Sequence, residues 1–395
     1  MANIKSDIYL LSLLLMFYGL FVYSTNVQAM EMDHSKHKMG NKDDEKTAAS
    51  SENNNIDPWA VEEFASETLD DELNTEIGIV VHHQHKSGNW MIGYKYMNMF
   101  MDGLISGTQE QKNNVRITTE DVARTQMGNI PLVPVAGFNY LMAPVEMAMK
   151  MHMLTAMYGV SETTSLMVMA NYMQNDMNMV MHMGNANTVT KSTYSDMATA
   201  GISDTVVNAM IRASDAWTIS FGVSIPTGSI DEKVVMNGNT IQAPYKMQLG
   251  SGTLDFLQSV TFKGGDSSFN WGAQESFAYH SGANDNGYVL GNKFEISAWV
   301  RKTFNNNFSI SSRINLFDEA QVIGRDSKII NSSMSPTFDV ANTGRHELDL
   351  SLGFSKRFSS GHRLGLEYSK PISQLVHGIQ METQYRYTLS WNYMM

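Results

Sequence analysis

Methionine and histidine are the residues whose spacing in this chain could support chemistry. Met30, Met32, His34, His37 and Met39 crowd into ten residues. Thioethers beside imidazoles are soft donors, a set that selects Cu(I) over Mg or Ca. A second group follows at His82, His83 and His85. In an extended segment His83 and His85 share a face and His82 points away, so the pair would hold Cu or Zn once a third donor joined it. The plainer readings are a polar tail rich in His and Met, and a solvated strand end.

The largest accumulation is central. Eighteen of the 31 methionines lie between Met91 and Met183, many at every second residue. Met97, Met99 and Met101 form one run, Met147, Met149, Met151, Met153 and then Met157 a second, and Met177, Met179, Met181 and Met183 a third. A spacing of two keeps side chains on one face of a strand, whereas a helix would scatter them around its axis. Strands must therefore position the thioethers.

Other chemistries find little support. The chain has no cysteine, which excludes disulfides and thiolate metal sites. It carries a formal charge of −12 and no Lys/Arg-rich run, which argues against nucleic acid as a partner. No Gly-x-Ser-x-Gly appears, and pairs such as His280/Ser281 and Ser360/His362 read as turn residues. The sequence does not point to an enzyme.

At the N-terminus Lys5 precedes an apolar run from Ile8 to Tyr23, and Val27-Gln28-Ala29 fits a signal-peptidase site. Residues 1–29 read as a cleaved signal peptide. Residues 30–75 read as a polar His/Met leader, disordered by composition apart from a short helix expected within 59–75. Beyond it no stretch of 18 apolar residues occurs, so no transmembrane helix follows. An exported chain of this kind is soluble or an outer-membrane barrel.

Residues 76–395 favour the barrel. Alternating apolar rows predict strands near 90–101, 145–158, 164–173, 205–213, 217–225, 253–263, 269–280, 292–303, 308–317, 345–357, 363–370 and 380–394. The connections between them sort by length, short at 214–216, 264–268 and 305–307 but long at 102–144, 174–204, 226–252 and 318–344. Tight turns at one end and long loops at the other mark outer-membrane barrels. The fold predicted is an all-β, transmembrane antiparallel β-barrel of about 12 strands, within a range of 10–14. An even number returns both ends to the periplasm. Residues 76–85 also look extended and would break that parity, which places them inside the mouth or in the periplasm.

The Met rows are predicted by face. The row on 91–101 carries Lys95, and the row holding Met167, Met169 and Met173 carries Asn171, so both should line a polar lumen. On 145–158 Lys150 and His152 lie opposite the Met row, which predicts that Met147 to Met157 meet lipid. Two strands thus support a sulfur-lined path. The run Met177–Met183 with His182 is expected in an external loop.

Several pieces carry a family resemblance: Ser220-Phe-Gly-Val-Ser-Ile-Pro-Thr-Gly228, Pro244-Tyr-Lys-Met-Gln-Leu-Gly-Ser-Gly-Thr-Leu-Asp255, Asn342-Thr-Gly-Arg345 and Gly361-His-Arg-Leu-Gly-Leu-Glu-Tyr368. Over residues 78–395 the chain resembles the bacterial outer-membrane proteins grouped with meta-pathway phenol degradation, often called transporters. Tyr94-Lys-Tyr-Met97 and Met101-Asp-Gly103 fit a Met-rich branch of them. The terminus departs from the pattern, ending Tyr393-Met-Met395 rather than on an aromatic residue. The leader, in turn, resembles the Met/His-rich segments of periplasmic copper-resistance proteins.

The resemblance implies an envelope pore in a Gram-negative outer membrane, with membrane lipid and a small, hydrophobic or aromatic solute as partners. The first alternative is a copper or soft-metal barrel using Met30, Met32, His34, His37 and Met39, with His83 and His85 behind them and Cu(I) as the ion. The second is a structural barrel that transports nothing. No other cofactor is implied.

Overall fold

The computed structural model describes residues 76–79, 84–107, 114–122, 124–126, 140–185, 188–236, 238–304 and 307–395. Twelve antiparallel strands close on themselves. They are β1 (Trp90–Gly107), β2 (Ala143–Ser161), β3 (Thr164–Asn185), β4 (Thr205–Arg212), β5 (Trp217–Ile225) and β6 (Asp255–Gly265). Then follow β7 (Phe269–Tyr279), β8 (Lys293–Phe304), β9 (Phe308–Glu319), β10 (Arg345–Arg357), β11 (His362–Val376) and β12 (Gly378–Met394).

Each strand pairs with its sequence neighbours, and β12 closes on β1 from Met91↔Met394 to Gly107↔Gly378. Closure satisfies every ladder and leaves no edge, as a sheet in hydrocarbon requires. Beside that seam Trp90 N donates to Met395 O and Met395 N to Trp90 O.

Alternation sets the two faces. Outward positions are apolar and exposed, among them Leu154, Leu166, Phe221, Phe256, Ile314, Leu350, Leu352 and Leu366. Such a band suits lipid and not water. Near the short turns aromatic rings gather on this exterior: Trp90 lies 4.6 Å from Tyr158, Trp217 4.7 Å from Phe262 and Phe262 5.4 Å from Trp271. Amphipathic rings at that level match the interfacial belt of membrane barrels.

All twelve predicted strands are present, with two departures in the connections. Residues 174–204, expected as a loop, are largely strand, because β3 continues to Asn185 and pairs with Thr188–Ile202. The reason is burial: Met177, Met179 and Met197 pack with Met142, Tyr245 and Met247 into one apolar cluster at the long-loop end. A hairpin holds those rows in register there.

The second departure joins β11 to β12 at the long-loop end through His377 alone. Gly378 adopts φ +65°, a left-handed conformation that side chains disfavour, and Asn342 Oδ1 accepts from Ile379 N at 2.9 Å.

Candidate functional site

Cross-strand register turns the Met rows into rungs. Met101 stands opposite Met147, and Met147 opposite Met177; Met97 opposite Met151, and Met151 opposite Met173. Met91 stands opposite Met157, which stands opposite Met167. All three strands turn these residues inward. Met91, Met101, Met147, Met153, Met157, Met167 and Met177 are buried, while Met97, Met99, Met149, Met151 and Met173 line the central cavity.

The lipid-facing assignment of Met147 to Met157 is therefore corrected. Lys150 and His152, which that assignment put in the lumen, lie on the exterior instead, with partners on adjoining strands. Lys150 Nζ donates to Asp176 Oδ2 at 3.0 Å, and Tyr94 OH shares a hydrogen bond with His152 Nδ1 at 2.7 Å. A paired polar group tolerates the exterior far better than a lone one, so these two residues did not force the register. On the same strand Leu154 is 57% exposed.

The opposite wall is charged. Arg313 Nη2 meets Glu367 Oε1 at 2.6 Å and Arg345 Nη1 meets Glu347 Oε1 at 2.7 Å. Arg386 donates to Glu347, and to Asp349 Oδ2 at 2.6 Å. Both signs are present and paired, which is how buried charges are tolerated. The walls meet where Arg386 Nε donates to Met99 Sδ at 3.2 Å. Between them lies a cavity of about 620 Å³, within the usual range for a small-molecule site.

Both ends of this cavity are covered. At the short-turn end the segment Glu76–Ile79 crosses the lumen. Glu76 accepts from Arg301 Nη2 at 2.9 Å and from Ser311 Oγ at 2.7 Å, and Ile79 O accepts from Lys95 Nζ at 2.7 Å. A Cβ on Gly78 would lie 2.3 Å from Arg313 Nη2, so a side chain here must displace the Arg313–Glu367 pair. Just beyond, Gln84 Nε2 donates to Thr163 O at 3.1 Å and His85 N to Ser165 Oγ at 2.9 Å. The sequence placed 76–85 in the mouth or in the periplasm; the described part lies in the mouth.

A Cβ on Gly159 would lie 1.9 Å from Lys86 O, and Gly88 N donates to Gly159 O at 2.8 Å. Gly159→Val should therefore expel residues 84–89. Limited trypsin digestion should then cleave after Lys86 at least about tenfold faster, a loss of ~1.4 kcal/mol in local stability. Unchanged cleavage would mean the segment is not held by this contact.

At the long-loop end a strap, residues 244–251, spans the cavity. Asp204 Oδ2 accepts from Ser251 N at 2.8 Å, and its Oδ1 accepts from Gly228 N at 3.0 Å. Across the lumen Lys246 Nζ donates to Glu319 Oε2 at 2.9 Å. Tyr245 OH accepts from Asp326 N at 3.0 Å, and burial pushes its phenol up from the ordinary tyrosine value. Asp231 accepts from Lys328, which ties the strap's loop to residues 320–344 and holds the carboxyl below its ordinary range.

Of the ligands predicted from sequence, Met30, Met32, His34, His37, Met39 and His83 lie outside the described residues, as do the signal peptide and leader. His85 is fully buried, bonded through its backbone to the inner wall. His182, expected in an external loop, is a buried strand residue hydrogen-bonded to Ser192 Oγ at 2.8 Å and Thr119 Oγ1 at 2.9 Å. Sequence reasoning did not find the Arg–Glu wall or the Glu76 contact. The available signal was charge at inward parity, as in Arg345, Glu347 and Asp349 on alternate residues.

No family model matches the chain, and no curated protein matches it in sequence. Solved structures do resemble it. An outer-membrane channel from Pseudomonas putida F1 aligns with TM-score 0.51 and 10% identity over 81% of this chain and all of that one. The toluene transporter TodX of Pseudomonas putida aligns with TM-score 0.42 and 7% identity over 78% of this chain and 90% of its own.

Proposed function

We propose that this barrel is an outer-membrane channel for small solutes that combine an apolar body with a polar or charged group. The observation carrying the reading is the cavity of about 620 Å³ between a thioether wall and a wall of paired charges. An aromatic acid or phenol would lay its ring on the methionines and its polar group toward Arg313 and Arg386. The likeness to an outer-membrane channel supports the same class of activity. Short turns face the periplasm in such barrels, so the segment bearing Glu76 enters from that side. Membership of the meta-pathway phenol-degradation barrels, in their Met-rich branch, is part of this proposal and rests on the sequence pieces given above.

The test is flux into liposomes. Benzoate should enter about tenfold faster than a sugar of equal size, a preference of ~1.4 kcal/mol. Met151→Arg, which places a cation in the centre of the thioether wall, should abolish that preference. Flux no greater than in empty liposomes for either solute would end the channel reading.

Soft-metal handling is the second reading, and the three inward Met rows favour it. It keeps Met30, Met32, His34, His37 and Met39 as proposed Cu(I) ligands, with His83 and His85 behind them.

A further inference from the structure

Met91, Met157, Met167 and Met210 form a separate cluster on the inner wall, each at most 3% exposed. They come from four successive strands. Met91, Met157 and Met167 stand directly opposite one another, and Met210 pairs with Ser165, two residues from Met167 on the same face. Neighbouring strands lie about 4.8 Å apart, and a thioether on three rotatable bonds can swing several ångströms. Thioethers on neighbouring strands of this row can thus approach one another without moving the backbone.

We propose that neighbouring members of this methionine cluster bind a soft monovalent cation, Cu(I), at the periplasmic end of the lumen. Packing alone does not account for the choice of residue. Over 91–101, 147–157 and 165–177 every large apolar side chain turned inward is Met, with no Leu, Ile, Val or Phe among them. The outward face of the same strands uses Ile92, Phe100, Leu154, Leu166 and Val168. A wall that needed only apolar volume would mix these types on both faces.

The donor set decides the ion. Among the described residues no group of three or more His, Asp or Glu could hold a metal, which leaves neutral thioethers, donors suited to Cu(I) rather than to Zn or Ca. A single positive charge is also less costly to bury than two. His85 comes close by backbone, since its N donates to Ser165 Oγ at 2.9 Å. The site stands apart from the solute reading, because Met91 and Met157 lie below the cavity walls that would hold a solute.

The experiment titrates refolded full-length protein with Cu(I), under ascorbate and against bicinchoninate. The titration is run on the native chain and on His34→Ala/His37→Ala, which weakens the leader. In both backgrounds Met157→Leu/Met167→Leu should remove one equivalent of bound Cu(I). Leu keeps the apolar volume, and heat-modifiable gel mobility reports whether the barrel has closed. Should the double variant fail to close, Met210→Leu replaces it, with at least a tenfold weakening expected at the same equivalent. X-ray absorption of the loaded His34→Ala/His37→Ala protein should show sulfur neighbours. Equal Cu(I) binding with and without the lumenal substitutions, or a shell free of sulfur, overturns the proposal.

Discussion

Glu76→Ala should open the channel. Glu76 and Arg301 are both almost fully buried and meet at 2.9 Å, with Ser311 Oγ as a second donor. Removing one partner of a buried pair costs ~3–5 kcal/mol because the other charge is left uncompensated. The molecule has an inexpensive escape. If Glu76–Ile79 leaves the mouth, lumen water reaches Arg301 and solvates it. The cost then falls on the closed arrangement rather than on the barrel, and a shift of ~3 kcal/mol changes an open-to-closed ratio by roughly a hundredfold.

Single-channel recording in planar bilayers should show long closures in the native protein and near-continuous opening in Glu76→Ala. Gly78→Val should act the same way by collision, since its Cβ would meet the Arg313 guanidinium. In Arg301→Ala the Glu76 carboxylate, which keeps Ser311 Oγ but loses its cation, should likewise favour opening. The double variant Glu76→Ala/Arg301→Ala should fall closer to the native behaviour than either single change. Identical open probabilities across the native protein and all four variants would mean that this segment does not gate conduction.

The barrel itself was legible in the sequence because alternation is a local signal. Rows such as Leu348, Leu350, Leu352 and Phe354 read as one face without knowledge of any partner strand, and the order of short and long connections set the two ends. What failed was any inference that needed a neighbour. Lys150 looked like a lumenal marker until Asp176, 26 residues away, was placed beside it, and the β2 Met row was assigned to the wrong side as a result. Glu76 finds Arg301 across 225 residues, and no local pattern encodes such a pair. The run Met177–Met183 kept a strand period that was legible, yet its length beyond the membrane suggested a loop. Burial against Met142 and Met247 made it a hairpin instead.

The other closure should yield to Asp204→Ala. Asp204 sits in the two-residue break between Thr188–Ile202 and β4, where its carboxylate takes one amide from each side of the strap's loop, Gly228 N and Ser251 N. Hydrogen bonds to an ionised acceptor contribute ~1.5–3 kcal/mol each, and alanine leaves both amides without it. Water can reach part of this rim, so a net loss of ~2 kcal/mol is the reasonable expectation. Amides of residues 245–251 should then exchange with deuterium roughly 30-fold faster, while β3 and β9 keep their protection.

Lys246→Ala tests the far anchor, where the bond to Glu319 bears on the same strap. If the two anchors hold one rigid strap, the double variant should exceed the sum of the single effects, because either anchor alone still limits its motion. Simple additivity would mean two independent local contacts, and the long-loop end would then open by fraying rather than as a lid. The distinction matters for transport. A solute entering past a strap held at both ends must break Asp204 or Lys246 free, so flux through the native channel should rise in either single variant.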